Sequence, residues 1–421
     1  MDATPVKCLN LYIFNETRPA AVFGVGTYIR ELIAALQHSP INVNLVNLWS
    51  EKHQIQIEKK EGIRYWYFPA PVQWTATSSE QWGLYYRNIV YILQLHIKDK
   101  EKLIFHLNYM ECKPLVDALK SVFDCKTVLV VHYLRSVMTL LGNISRLRRI
   151  ISQPYEPTDA EEISAKISFQ EEKEILQAVD KIVCLSNHTF DMLYQDCQIE
   201  KEKMVVISNG LSDVANIPPN VQLLRKKWHL FSNEKIILSV GRLDKAKGLS
   251  YLIKAFREVI ENFPDCRLMI AGSGKYDTFL HESQDICTKL TFTGLLEKKD
   301  LYELYQIADI GVIPSFSEQC SLVAIEMMMH GLPMITTTAP GLAEMTENGI
   351  SSIQVAVIEY DEKVEIDAPL LADKILYLLE NPDEAKRLGK NARKRYEEIY
   401  SREAFRNNMV DFYTRLFNDE S

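Results

Sequence analysis

Residues 308–336 decide the fold class of this chain, and they read ADIGVIPSFSEQCSLVAIEMMMHGLPMIT. The first six residues predict a short buried strand, and residues 321–327 predict a helix that ends at the glycine of HGLP. Glu318 and Glu326 stand eight positions apart around the predicted start of that helix. In an open α/β sheet, ligands bind at such strand-to-helix crossings, where the helix N-terminus offers unpaired N–H groups to anions. Two carboxylates beside an anion site suggest a ligand that carries both hydroxyl and phosphate groups.

Length and composition restrict the class of protein. With 421 residues, of which 47% are hydrophobic and 25% charged, the chain suits two α/β domains that each bury their own core. No stretch approaches the roughly 20 apolar residues that span a bilayer, and the first residues, MDATPVKCLNLYIF, lack the basic start and cleavage site of a signal peptide. We therefore expect a cytoplasmic protein. A net charge of −8 argues against general nucleic-acid binding.

Three patterns that could mark other chemistry are incomplete. The eight cysteines include no C-x-x-C pair, so reduced core thiols are favoured over disulfides or zinc ligands. The stretch Gly272-Ser273-Gly274-Lys275 lacks the leading glycine and the final Ser or Thr of a P-loop, and it predicts a strand-end turn that lines the cleft. The pair Gly24 and Gly26 lacks the third glycine of a dinucleotide-binding motif.

The chain reads as two halves, in each of which strand-like runs alternate with amphipathic helical stretches. This βα repetition predicts mainly parallel sheets. The runs of the first half are 9–14, 43–48, 103–107, 127–131, 182–185 and 205–207, and those of the second half are 236–240, 268–271, 290–292, 310–313 and 334–336. A turn-rich stretch at 208–220 predicts a linker, so that a second domain begins near residue 220. Helical patterns at 372–400 and 402–417 close the chain.

Residues 239–248 read SVGRLDKAKG and follow the first strand of the second half. Together with the two glutamates they resemble the V-G-R-x-x-x-x-K-G and E-x7-E motifs of the retaining glycosyltransferases of family 4. The resemblance implies the α/β fold called GT-B, with two Rossmann-like parallel-sheet domains that face a central cleft. It also implies that Glu318 contacts the donor sugar, that Glu326 contacts the nucleotide ribose, and that Arg242 and Lys247 neutralise the donor diphosphate. A forked guanidinium and a compact ammonium suit phosphate oxygens. The alternative is that these four residues are ordinary solvated charges.

The resemblance extends to the domain limits and to the first half of the chain. It implies an acceptor-side domain at 1–212, a nucleotide-sugar-binding domain at 213–400, and a last helix at 401–421 that returns to the first domain. It makes Gly24 and Gly26 part of a loop whose backbone N–H groups approach the donor phosphate, although an ordinary helix-start turn explains them nearly as well.

His132 ends the apolar run at 128–131, so the predicted sheet places it at a strand end. By resemblance it hydrogen-bonds a donor-sugar hydroxyl or shapes the acceptor pocket, and it is a candidate catalytic residue together with Glu318, Lys247 and Arg242. A purely structural histidine is the alternative. His106 ends a neighbouring run and is a weaker candidate, and Ser186 is expected to cap the helix that follows it.

The loop after the first glutamate departs from the family pattern. Members commonly read E-G-F-G, whereas this chain reads E-Q-C-S. The resemblance assigns donor binding to Cys320, Ser321 and Leu322, and their backbone N–H donors survive the change. Unlike glycine, these residues do not adopt positive φ freely, so the loop has either an ordinary or a strained conformation. The geometry of donor binding depends on which of the two it is. No D-x-D sequence occurs, so we expect metal-independent chemistry and no cofactor.

These observations predict an enzyme that transfers a sugar, with retention of anomeric configuration, from a UDP- or GDP-linked donor to a hydroxyl of a glycan, lipid-linked or peptide acceptor. Polysaccharide or glycoconjugate biosynthesis would be its setting. Two alternatives stay open: a nucleotide-sugar epimerase of the same fold, and an inactive donor-binding subunit of another transferase. Residues 134–151 carry four arginines among apolar residues. They form either an interfacial helix that touches the inner face of a membrane or an ordinary domain helix with a basic face.

Overall fold

The computed structural model describes residues 9–16, 24–71, 79–152, 154–157, 159–215 and 220–417. The strands are β1 Leu9–Glu16, β2 Ile41–Ser50, β3 Gln56–Lys60, β4 Ile63–Pro69, β5 Leu103–Leu107, β6 Cys125–Val131, β7 Lys181–Cys184, β8 Met204–Val206, β9 Lys235–Val240, β10 Cys266–Ala271, β11 Leu290–Gly294, β12 Ile310–Ile313, β13 Met334–Thr337, β14 Ile353–Val355, β15 Val357–Glu359 and β16 Val364–Ile366. Every strand run predicted from the sequence coincides with one of these strands.

The α-helices alternate with the strands. They are α1 Gly24–Leu36, α2 Ser79–His96, α3 Lys113–Val122, α4 Arg135–Thr139, α5 Ile144–Ile151, α6 Ala160–Ala178, α7 Asn187–Gln195, α8 Val221–Lys227, α9 Leu249–Asn262, α10 Tyr276–Glu282, α11 Lys298–Ile307, α12 Leu322–Met329, α13 Pro340–Met345, α14 Ala368–Glu380, α15 Pro382–Arg395 and α16 Arg402–Arg415. The helical pattern predicted over 372–400 contains a break between two helices, because Pro382 cannot continue α14 and instead starts α15.

The chain divides into two compact units. The first contains residues 1–134, 168–210 and 402–421, and the second contains residues 135–167 and 211–401. The predicted division at 1–212 and 213–400 therefore needs one correction, since residues 135–167 group with the second unit. The physical reason is a buried ion pair between Arg146 and Glu162, which closes this segment on itself, together with polar contacts to the β15–β16 hairpin.

The first unit is built on an eight-stranded sheet of order β3-β4-β2-β1-β5-β6-β7-β8. All neighbours pair in parallel except β3, which is antiparallel to β4. Strand β5 is buried along its whole length, as expected for a parallel strand that is covered on both faces. Because the strands run in one direction, the carboxyl ends of β1, β5 and β6 lie at the same edge of the sheet.

The last helix, α16, belongs to the first unit. Phe405, Met409 and Tyr413 recur at four-residue spacing and are buried, so one face of the helix is apolar. This helix packs on α1. The Tyr413 hydroxyl lies 2.8 Å from Nδ1 of His106, and Arg402 pairs with Glu31 of α1 at 3.2 Å.

The second unit is built on a six-stranded parallel sheet of order β11-β10-β9-β12-β13-β14 and carries the β15–β16 hairpin. Its core joins the apolar faces of α9 and α14 to strands β9, β10, β12 and β13. Strands β9, β12 and β13 are neighbours, so the loops that follow them meet at one edge of the sheet. Two units with Rossmann-like parallel sheets confirm the predicted α/β class.

The sequence also led to expectations about the cysteines and about membrane-spanning segments. The seven cysteines that the structure describes are free thiols, and Cys8 lies outside the described residues. Among the helices of the described part of the chain, none is both long and apolar enough to cross a membrane.

Candidate functional site

Lys247 and Glu318 form the centre of the candidate site in the second unit. Lys247 ends a short 3-10 turn after β9, and Glu318 lies in the loop after β12. The Lys247 ammonium donates to Oε1 of Glu318 at 2.6 Å, and the Ser315 hydroxyl donates to the same oxygen at 2.9 Å. The two charged side chains retain 21% and 13% of their exposure. The structure therefore brings together two residues that lie 71 positions apart in the chain.

Close backbone packing holds these two loops against each other. The amide of Phe316 donates to the carbonyl of Ala246 at 2.9 Å. Gly248, which follows Lys247, has a φ of 62° and leaves no room for a side chain, because a Cβ there would overlap the carbonyl oxygen of Pro314. Only glycine meets both requirements without strain. Gly248, the last glycine of the V-G-R-x-x-x-x-K-G motif, therefore allows the Lys247 loop to pack closely against the loop that carries Glu318.

Arg242 does not join the ion pair between Lys247 and Glu318. Its side chain is half exposed, and its guanidinium pairs with Asp244 at 3.2 Å. It lies in the same loop as Lys247, one residue after Gly241, whose missing side chain leaves space along the stem of Lys247. Its role at the diphosphate stays a prediction.

Glu326 is buried in the middle of α12 with 2% exposure. Its carboxylate accepts a hydrogen bond from the hydroxyl of Tyr305 at 2.9 Å and pairs with the ammonium of Lys298, at the start of α11. The alternative of a solvated surface charge is therefore wrong for this residue. The assignment to the ribose stays a prediction.

Sequence reasoning missed Lys298 and Tyr305 as partners of Glu326. A signal was present, because Glu326 is the one charged residue in the helix LVAIEMMM. A carboxylate in such an apolar segment requires a partner when it is buried. The pattern does not identify that partner, which lies on another helix 21 to 28 positions away.

The loop after Glu318 has an ordinary conformation. Ser321 has a φ of −68° and caps α12 by accepting from the amide of Ala324, and neither Gln319 nor Cys320 is among the described residues with positive φ. Gly341, at the start of α13, supplies the missing small residue, since its amide donates to the carbonyl of Glu318 at 3.1 Å and a Cβ there would overlap that oxygen. The departure from E-G-F-G therefore does not strain this loop.

His132 lies in the first unit, directly after β6. Its Nε2 is 3.0 Å from Oδ1 of Asn108, and the amide nitrogen of Asn108 donates to the carbonyl of Phe14 at 3.0 Å. Because Oδ1 can only accept, we assign the proton to Nε2 of His132. Burial, with a smaller contribution from the nearby His106, lowers the pKa of His132 to about 3. The ring is therefore neutral at physiological pH, and its Nδ1 is left as an acceptor.

The other candidate residues of the first unit are His106, Ser186, Gly24 and Gly26. His106 is fully buried, and its Nδ1 lies 2.8 Å from the hydroxyl of Tyr413, so it is a core histidine. Ser186 caps α7, as expected, by accepting from the amide of Thr189. Gly24 is the exposed first residue of α1, and Gly26 is buried in its first turn. Residues 17–23 lie outside the described residues, so the phosphate contact of this loop stays a prediction.

In the basic segment 134–151, two of the arginines that suggested a membrane contact are paired within the protein. Arg146 is 5% exposed and bonds Asp159 at 2.7 Å and Glu162 at 3.2 Å. Arg149 donates to the carbonyl of Asp361 at 3.1 Å. The segment forms two short helices, α4 and α5, and not one continuous helix. The structure therefore favours the alternative of domain helices, because Arg146 and Arg149 bond residues of the same unit.

The glycines of Gly272-Ser273-Gly274-Lys275 serve backbone packing. This turn follows β10, and the amide of Leu243 donates to the carbonyl of Ser273 at 2.8 Å. A Cβ at Gly272 would overlap the carbonyl of Gly241. The stretch is a strand-end turn that abuts the Lys247 loop, as the incomplete P-loop pattern predicts. Within the described ranges, no group of three or more His, Cys, Asp or Glu side chains is placed to hold a metal ion.

Comparisons with known proteins agree with this architecture. The family model described as Glycosyl transferases group 1 matches residues 220–395, and the model described as Glycosyltransferase Family 4 matches residues 22–213. An uncharacterized glycosyltransferase of Methanocaldococcus jannaschii is 34% identical over 37% of this chain, and that match spans 41% of the relative's length.

Two solved structures are similar over nearly the whole chain. Sucrose-phosphate synthase from Thermosynechococcus elongatus has a TM-score of 0.77 at 21% identity and covers 98% of this chain and 100% of its own. The Anabaena protein HepE, solved in complex with UDP-glucose, has a TM-score of 0.71 at 14% identity and covers 97% of this chain and 100% of its own. These likenesses confirm the GT-B fold.

Proposed function

This chain belongs to the group 1, family 4 glycosyltransferases, which are enzymes that transfer sugars, and from that premise we propose that it uses a nucleotide-diphosphate sugar as donor and an acceptor hydroxyl as the attacking group. The observation that carries this proposal is the pairing of Lys247 with Glu318. A carboxylate accepts hydrogen bonds from sugar hydroxyls, and an ammonium stabilises the charge on a departing diphosphate.

The ion pair already positions both groups before any donor arrives. Glu318 is tied to Ser315 as well as to Lys247, so its carboxylate has one preferred orientation. When a diphosphate enters, Lys247 has three N–H donors and can contact phosphate while it keeps Glu318. Preorganised charge of this kind is often the largest single contribution to catalysis, because it needs no rearrangement as the sugar bond breaks.

The donor is proposed to be UDP- or GDP-linked. HepE, which shares the fold, is described in complexes with UDP-glucose and with UDP and glucose, which supports a uridine donor here. In this chain Glu326 is the proposed ribose contact because of its place in the E-x7-E motif, and Lys298 and Tyr305 hold its carboxylate in an otherwise apolar helix. These partners offset the cost of burying the carboxylate.

We propose a retaining, metal-independent reaction. The family resemblance supports retention, in which the acceptor attacks from the face that the leaving group departs. The absence of a D-x-D sequence and the position of Lys247 support charge neutralisation by side chains. His132, neutral and with Nδ1 as an acceptor, suits a hydrogen bond from a sugar hydroxyl and not a charge contact. The acceptor is a glycan, lipid-linked or peptide hydroxyl, in the cytoplasm or at the inner face of a membrane.

The two alternatives are less well supported. An inactive donor-binding subunit was suggested by the residues Gln319, Cys320 and Ser321, but their ordinary backbone conformation removes the reason to expect a damaged donor site. An epimerase of the same fold would use the same nucleotide site, so it is separated by its product and not by its residues.

The test is incubation of the purified chain with isotopically labelled UDP- and GDP-sugars, with and without EDTA, in the presence of glycan and lipid-linked acceptors. The proposal predicts release of nucleoside diphosphate with transfer or slow hydrolysis, unchanged by EDTA. An epimeric nucleotide-sugar as the product would establish the epimerase. Tight donor binding with neither product would establish the inactive subunit.

A further inference from the structure

We propose that Gly142 is a positioning residue that sets the location of Glu318 through the loop that precedes it. The inference rests on the proposed function, since it assumes that Glu318 contacts the donor. Gly142 lies in the segment 135–167, which the sequence attaches to the first half and which groups with the second unit in the structure. No motif pointed to it.

The turn around Gly142 presses on the backbone just before Glu318. An ideal Cβ built on Gly142 would lie 2.5 Å from the carbonyl oxygen of Phe316 and 3.1 Å from the Cβ of Ser317. Gly142 has a φ of 85°, and Leu141 before it has a φ of 52°. Two successive residues with positive φ are costly, and the second can be relaxed only by glycine. The turn is therefore shaped to approach this loop more closely than any residue with a side chain allows.

The turn is itself fixed to the second unit. Asn143 caps α5 by accepting from the amide of Arg146 at 2.8 Å, while its amide nitrogen donates to the carbonyl of Tyr360 at 2.7 Å. Arg146 donates to the carbonyl of Glu362 at 3.2 Å. These bonds reach the loop of the β15–β16 hairpin and tie the Gly142 turn to it.

The loop before Glu318 is consequently confined from two directions. Gly248 packs against Pro314, and Gly142 packs against Phe316, two residues before Glu318. A methyl group at position 142 must displace the Phe316 carbonyl by about 0.9 Å to reach an ordinary 3.4 Å contact. Misplacing a catalytic group by about 1 Å can cost on the order of 10²-fold in rate. We therefore expect Gly142→Ala to lower kcat by roughly 10- to 100-fold.

A matched control variant distinguishes the effect of the collision with Phe316 from the effect of backbone strain at positive φ. Gly349 is in the same unit, has a φ of 72°, and would place its Cβ in open space. Gly349→Ala therefore carries the same conformational cost as Gly142→Ala but no collision. We expect kcat in Gly349→Ala to stay within about twofold of the wild type, since a side chain at position 349 would meet no atom within 4 Å.

The experiment measures kcat, donor KM and the hydrogen-exchange rate of the Phe316 amide in the full chain and in the two variants. Gly142→Ala should lower kcat and accelerate exchange of the Phe316 amide, which donates to Ala246, while Gly349→Ala changes neither. Equal kcat and equal exchange in the two variants would overturn the inference. If Gly142→Ala does not fold, Asn143→Ala removes the support without the collision, and it should lower kcat by about 3- to 10-fold and accelerate the same exchange. An unchanged Asn143→Ala would then overturn the inference.

The exchange measurement needs no turnover, so the two proposals fail separately. A wild-type chain without activity on any donor refutes the proposed function, while the Phe316 exchange rates still decide the role of Gly142.

Discussion

Replacing Lys247 with alanine removes the one ammonium that contacts Glu318 in the described structure. The carboxylate keeps its bond from Ser315 at 2.9 Å but loses the 2.6 Å ion pair. The stem of Lys247 lies beside Gly241, directly after β9, and its side chain is 21% exposed, so the substitution does not create a fully enclosed cavity. The matched control is Lys245→Ala, which removes the same charge from the exposed start of the same 3-10 turn.

The exposure of the pair sets the expected loss of stability. Fully exposed pairs contribute about 0–1 kcal/mol, and breaking a fully buried pair costs about 3–5 kcal/mol. Lys247 and Glu318 retain 21% and 13% exposure, so a loss between these limits, on the order of 1–3 kcal/mol, is expected. The effect on catalysis should be larger. Removing one preorganised group that stabilises developing charge lowers kcat by about 10² to 10³, or about 2.7–4 kcal/mol.

Steady-state kinetics and urea denaturation on Lys247→Ala, Lys245→Ala and the wild type measure both quantities. The assignment predicts a kcat loss in Lys247→Ala that exceeds its stability loss, together with nearly unchanged constants in Lys245→Ala. Charge on the diphosphate grows as the sugar bond breaks, so the loss must appear in kcat. If Lys247→Ala changes only the donor KM, or if Lys245→Ala loses as much kcat, the reasoning is refuted.

Three further predictions concern buried groups. Glu326→Ala should raise the donor KM with little change in kcat and lower the free energy of unfolding by about 1.5–3 kcal/mol, because the buried Tyr305 hydroxyl loses its charged acceptor; kinetics and urea denaturation that leave both quantities unchanged would contradict this. Glu162→Ala should lower the free energy of unfolding by about 2–4 kcal/mol, because Arg146 loses its buried partner and keeps the more exposed Asp159. Glu161→Ala removes an exposed partner of the same arginine and should cost less than about 1 kcal/mol. Equal losses in urea denaturation would contradict this prediction. Burial lowers the pKa of His106 from 6.5 to about 3, so the unfolded chain takes up the extra proton between these values and the free energy of unfolding should fall as the pH drops from 6 to 4, by up to about 1.4 kcal/mol per unit. Urea titrations across this range should show a shallower pH dependence in His106→Phe, and an identical dependence would exclude this group.

The layout of the strands follows directly from the sequence. Every predicted strand run is present, because a parallel strand covered on both faces must be apolar along its length, and βα repetition leaves few other arrangements. Among the strands that the predicted runs omitted, β3 and β14 lie at sheet edges, whereas β4 is a seven-residue strand inside the first sheet. The hairpin β15–β16 has only three residues in each strand, too few for a recognisable alternation.

The organisation of the second unit was harder to predict at residues 135–167. The apolar and basic pattern of this segment fits an interfacial helix as well as a domain helix. What decides between them is the pairing of Arg146 with Glu162, whose residues are 16 positions apart and belong to different helices. A charged pair buried between helices leaves no periodic signal, so the attachment of this segment is a tertiary property.

In the candidate site, too, the sequence predicts the positions of residues but not the pairing of their side chains. The motifs locate Lys247 and Glu318 in loops that follow strands, and they locate Glu326 eight positions after Glu318, inside the next helix. They do not distinguish Lys247, which reaches Glu318, from Arg242, which pairs locally with Asp244. That difference depends on the direction of side chains after the turn, which spacing does not encode.

The conformation of the loop after Glu318 could not be predicted from its local sequence either. The sequence E-Q-C-S suggested strain because the family's glycines are absent. The structure avoids the strain because Gly341, at the start of α13, packs against the backbone of Glu318 and Gln319. A small residue that is supplied by a separate helix cannot be found by comparing the loop sequence alone.

Calorimetric titration tests the central claim, that a diphosphate binds beside Lys247 and Glu318, most directly. UDP and GDP, with uridine and guanosine as phosphate-free controls, are titrated into the wild type, Lys247→Ala and Lys245→Ala. We predict that the preferred diphosphate binds at least tenfold more weakly to Lys247→Ala than to the wild type or Lys245→Ala, in keeping with about 1.5–3 kcal/mol for a hydrogen bond to a charged group, while its nucleoside binds all three proteins alike. Equal diphosphate affinity in the wild type and Lys247→Ala would contradict the claim.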